Sequence, residues 1–194
     1  MTETAKTPSP SPAQSPDTPP APVPPIEVGP ELRWSDKGSK SLPPIPFPSW
    51  NIYRGAGEAK VRALARRLHE RLRDSEVGGM FPRNPRLFDA VVRRIEDYFV
   101  ESTGGPPVYT AHFGRPDMGR FHARAPVDAR ARDVWLGCLW AAFDDVDFPA
   151  EHRAEFWDWV EPFSLRVMNR HDPIRRLARY PYAETLATGF TPRG

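Results

Sequence analysis

The stretch Met118–Val127, MGRFHARAPV, sets a histidine among arginines, just past a Gly/Pro-containing loop and just before a proline. A neutral imidazole there can ligate a metal, pass a proton near neutral pH, or sit solvated on a connecting segment. Taken alone, His122 in such a loop reads as a solvated or structural residue. His112 and Asp117 would complete a mononuclear metal site with it only weakly, because the spacing matches no hydrolase motif. The one cysteine, Cys138, lies in the apolar run VWLGCLWAAF and reads as a buried, inert thiol. It excludes an internal disulfide and fits a reducing compartment. Large rings are frequent (Phe81, Tyr98, Phe99, Trp135, Phe143, Phe156, Trp157, Trp159 and Phe163) and can be core or can wall a pocket for a flat ligand.

The elements that must position these residues are helical. In EAKVRALARRLHERLR the apolar positions Val61, Leu64, Leu68 and Leu72 recur at helical spacing, and Asp74-Ser75 with Gly78-Gly79 ends the run. From Arg86 to Ser102 the stripe widens to Leu87, Phe88, Val91, Val92, Ile95, Tyr98 and Phe99, then stops at Gly104-Gly105-Pro106. Asp128 is placed to cap a helix with Val134, Trp135, Cys138, Leu139, Ala142 and Phe143 on its inner side. A last long helix starts near Pro149 and carries Phe156, Trp157, Val160, Phe163, Val167 and Met168. No segment alternates as a strand does, so the fold class is all-α, with about five helices. Arg66, Arg67, Arg71 and Arg73 alternate with the apolar positions and read as a solvated face.

More than half of the 25 prolines fall between Pro8 and Pro48. Residues 1–49 therefore read as a disordered proline-rich tail, 50–170 as the compact domain and 171–194 as a C-terminal extension of open role. A net charge of +2 is too small to imply nucleic acid. The absence of a long apolar run or a signal-type segment gives the expectation of a soluble, cytoplasmic protein with no membrane partner.

The order of these features resembles a truncated haemoglobin from about Gly57 to Arg170. An apolar helix ends in GGPPVY, a loop ends in GRPDM, a histidine follows, and then comes VDARARDVWLGCL with its tryptophan. The tryptophan in RDVWLGC points to the second group of that family, although the third also carries it. The resemblance implies a two-over-two helical globin sandwich enclosing haem b. Under it His122 matches the proximal iron ligand, leaving the opposite face open to a diatomic gas or peroxide. Phe81, Val91, Ile95, Tyr98 and Phe99 match residues that wall the haem, and Trp135 matches an indole whose N–H points at bound ligand. Arg120 and Arg124 flank His122 and could pair with haem propionates or lie solvated.

Two positions depart from that pattern. Leu68 and His69 stand where relatives have Phe-Tyr, so His69 replaces the usual distal tyrosine as a catalytic candidate, either hydrogen-bonding a ligand or ligating iron. The helix's own apolar stripe, by contrast, turns Leu68 inward, and a one-residue offset before Phe81 would allow it. Arg124-Ala125 stands where relatives have Pro-Phe, which removes a ring beside the haem. His112, His152 and His171 lack any such context and read as surface residues. The resemblance implies oxygen or nitric oxide binding and leaves open peroxidase or nitric oxide detoxification activity, a reductase partner, and a monomer or weak homodimer. The alternative is a globin-fold sensor or interaction module recruited through the proline-rich tail.

Overall fold

A computed structural model of the chain describes residues 42–170 and 178–193. Most of the expected tail, residues 1–41, and His171 in the extension lie outside the described residues.

All regular structure among the described residues is helical: α1 Asn51–Arg73, a 3-10 turn Gly78–Met80, α2 Pro85–Ser102, α3 Val108–Phe113, α4 Met118–His122, α5 Ala129–Asp145, α6 Ala150–Val167 and α7 Tyr182–Thr188. The caps are written in the sequence. Asn84 accepts from Arg86 N with Pro85 at the first helical position of α2. Asp117 accepts from Arg120 N at the start of α4, and Asp128 accepts from Ala131 N at the start of α5. Gly57, at φ 79°, kinks α1. The periodic stretch read from Glu58 onward is the part beyond that kink.

α1 packs on α2, α5 and α6, while α5 packs on α6. The pairs α1/α2 and α5/α6 form the two layers of the two-over-two sandwich. Val61, Leu64 and Leu68 of α1 meet a core that includes Val92, Leu136, Leu139, Phe156 and Trp159, all essentially without exposure. Side chains of this size contribute about 1.5–3 kcal/mol each on burial. Tyr98, Phe99, Tyr109, Phe156, Trp159 and Phe163 join in one ring cluster with centroids 5.3–6.5 Å apart.

Three readings change. The arginines of α1 are not merely solvated: Arg66 pairs with buried Glu96 at 2.9 Å, and Arg67 and Arg71 both reach Asp145, tying α1 to α2 and α5. The compact part begins before Trp50, because the Ser49 amide donates to the Glu155 carboxylate and residues 47–50 are half-buried. His152 is not a surface residue; it is half-buried against Gly55.

The described part of the extension closes over α5 and α6. Trp157 Nε1 donates to Tyr180 O at 2.6 Å and Tyr180 Oη donates to Asp133 at 2.8 Å. Beneath it, Arg132 donates to Glu161 at 2.6 Å, Ser164 Oγ at 2.8 Å and Ala178 O at 2.7 Å. Both members of the Arg132–Glu161 pair are almost fully buried, so the pair is tolerated only because those further partners satisfy it.

Candidate functional site

α4 is one short, capped helix, and its last residue is His122. Its Nδ1 donates to Met118 O at 2.8 Å. A carbonyl oxygen only accepts, so the proton sits on Nδ1 and the Nε2 lone pair is left available. Burial pushes the imidazole pKa down, toward the neutral form that ligates metals.

Asn169, just past α6, fixes the turn that follows. Its Nδ2 donates to His122 O at 2.7 Å and Ala125 O at 2.9 Å, and its Oδ1 accepts from Val127 N at 3.0 Å. The sequence reading passes over Asn169, since a single polar residue after a helix carries no signal of a contact 47 positions away.

His69 is only 5% exposed. It repeats the arrangement from α1, with Nδ1 donating to Ala65 O at 2.7 Å. Burial lowers its pKa to about 4, outweighing the opposing effect of the Ala65 hydrogen bond. Phe81 meets the His69 ring edge-on at 6.0 Å and passes the contact on to Phe88. Leu68 is also fully buried, so burial does not separate the two candidates. The edge-on ring contact with Phe81 is made by His69.

A cleft of ≈ 430 Å³ opens between the segment before Phe81 (Glu76, Val77, Gly79, Met80) and the segment around His122 (Phe121, Arg124, Ala125, Pro126). Neither His69 nor His122 lines it. On α2, Val91 and Ile95 are half-buried, while Tyr98 and Phe99 are buried in the ring cluster. Burial raises the pKa of the Tyr98 hydroxyl. Trp135 is half-buried on α5. Arg120 and Arg124 are exposed, and of the two only Arg124 lines the cleft.

Arg94 is a further residue that the sequence reading misses, because an arginine beside an apolar stripe looks solvated. Its guanidinium lies over Phe121 at 3.9 Å and Phe113 at 4.4 Å. Its Nε is buried without a partner, one residue from Ile95. The orphaned donor leaves a cation suited to an acidic group. His112 is exposed and Asp117 is occupied as a helix cap. No three His, Cys, Asp or Glu side chains gather as a metal site among the described residues.

Two anchored neutral imidazoles with free Nε2 atoms, apolar walls and an unpaired cation fit an iron porphyrin with carboxylate arms.

The chain resembles known proteins over the same region. The bacterial-like globin family profile matches residues 51–169. Phosphate-bound Hell's gate globin IV is 38% identical, with a TM-score of 0.73, over 75% of this chain and 91% of that one. The group II 2-on-2 haemoglobin of Agrobacterium tumefaciens is 32% identical, with a TM-score of 0.55, over 62% of this chain and 95% of that one. The group 2 truncated haemoglobin YjbI of Bacillus subtilis is 25% identical over 118 residues, 61% of this chain and 88% of its own length.

Proposed function

The chain belongs to the bacterial-like globin family, and from that premise we propose that it holds haem b through His122 and binds oxygen or nitric oxide on the His69 side. The observation that carries this reading is the His122 imidazole, whose Nδ1 is tied to Met118 O while Nε2 is free in a half-buried position. Haem, when bound, would supply an iron able to take up a small diatomic ligand.

The remaining residues have distinct tasks. Met118 O and Asn169 orient His122 and its turn. Phe81, Val91, Ile95, Tyr98 and Phe99 supply the apolar side of the site. Trp135 is the wall's N–H donor, suited to a ligand that gathers negative charge. Arg94 is better placed than Arg120 to meet a propionate, because its Nε lacks a partner. Arg124 meets the other at the mouth of the cleft. Nitric oxide detoxification or peroxide turnover, with a reductase supplying electrons, belongs to this same proposal, with His69 as the candidate group that would hold or pass a proton.

Haem titration tests it. The wild-type chain takes up one haem with a Soret band, His122→Ala retains it at least about tenfold less tightly, and added imidazole restores the spectrum. Equal haem retention by His122→Ala contradicts the assignment.

A further inference from the structure

Resting on the haem-globin reading, we propose that the Ala65 carbonyl holds His69 as a hydrogen-bond acceptor toward the ligand space, so that the pocket favours ligands carrying a proton on the ligating atom, water being the simplest, over ligands that can only accept. The tautomer follows from geometry. Nδ1 lies 2.7 Å from Ala65 O, an atom with nothing to donate. The ring proton must then be on Nδ1, and a neutral imidazole has only one. Nε2 is left as a lone pair.

Turning the ring over would put a carbon against the Ala65 carbonyl and forfeit the bond. At 5% exposure His69 has almost no water to replace it. Phe81, edge-on at an interplanar angle of 83°, packs against the ring. A second proton would make Nε2 a donor, but burial opposes the added charge.

The consequence is a reversal of polarity. A tyrosine at this position, as in the proteins the sequence resembles, offers a hydroxyl that donates. His69 offers a lone pair, leaving donation to other groups of the wall. Ligands divide accordingly. Bound water has O–H bonds to give and gains a partner, whereas fluoride has none and gains nothing.

The tautomer is measurable on the haem-free chain by long-range proton–nitrogen NMR of ¹⁵N-histidine-labelled protein. The expected pattern is a pyrrole-type Nδ1 and a pyridine-type Nε2 for His69; the reverse pattern overturns the proposal. In the ferric haem-loaded protein, His69→Leu should lower water occupancy at iron by about fivefold or more. Fluoride affinity should hold or rise in that variant, because no acceptor-only contact is lost and less water needs displacing. A fall in fluoride affinity of about fivefold, or unchanged water occupancy, shows that His69 donates or stands aside, and overturns the proposal. Far-UV circular dichroism confirms that the variant is folded. Absence of a Soret band in the wild type contradicts the haem reading itself, while the NMR measurement still decides the tautomer.

Discussion

At the scale of single residues, the two histidines share one device. Each spends Nδ1 on the carbonyl four residues back in its own helix and keeps Nε2 free. For His69 this has a consequence for stability. Its folded pKa of about 4 lies below an unfolded value of about 6.5, so between those limits the unfolded chain binds more protons. The stabilisation is full above about pH 6.5 and is lost as pH falls toward 4, by roughly 3 kcal/mol in the haem-free chain. Urea unfolding at pH 7 and pH 4.5 should show a smaller loss for His69→Leu than for wild type; equal losses would mean that His69 is not buried neutral. Asn169→Ala removes three hydrogen bonds from the turn after His122 and should cost about 2 kcal/mol in urea unfolding while speeding haem dissociation. His122 is legible in the sequence because a helix end, a loop and a tryptophan lie at set distances from it. Asn169 and Arg94 are not, since their roles exist only once distant segments meet.

At the scale of elements, periodicity and caps locate the long helices well. Asp128 caps α5, and Pro149 immediately precedes α6. Shorter pieces escape. α3 and α4 have only 6 and 5 residues, too few to show a period, and they are set by caps and packing instead. Nor can periodicity choose between Leu68 and His69, because a helix buried on several sides turns both inward. The Gly-Gly-Pro break has a physical reason beyond ending α2. Gly104 sits at φ 100°, and a Cβ there would lie 2.5 Å from Trp50 Cα, at the entry to α1. Gly104→Ala should therefore destabilise the fold by about 2 kcal/mol or more, read as a lower urea midpoint. A neutral outcome would mean that α1 and the end of α2 are not in contact.

At the scale of the whole molecule, the chain is a globin sandwich closed by a C-terminal strap over α5 and α6. The all-α class follows from the long helical segments, while the two-over-two arrangement is legible only through the family resemblance. The strap does not, because the charged residues it satisfies (Arg132, Asp133, Glu161) look like solvated positions in the sequence. Removing residues 171–194 would strip Glu161 of Arg179 and of the Tyr180 amide, and Asp133 of the Tyr180 hydroxyl. Thermal melting should then show a loss of about 3 kcal/mol or more, as expected for buried charges losing partners. No helix among the described residues is long and apolar enough to cross a membrane. The central claim, haem held by His122 with a ligand bound on the face toward His69, is tested most directly by absorption spectra of the reduced, haem-loaded chain before and after carbon monoxide. The account predicts a Soret band that sharpens and shifts on adding the gas, and that is weakened and altered in His122→Ala until imidazole is supplied. A reduced spectrum indifferent to carbon monoxide, or one that His122→Ala leaves unchanged, contradicts it.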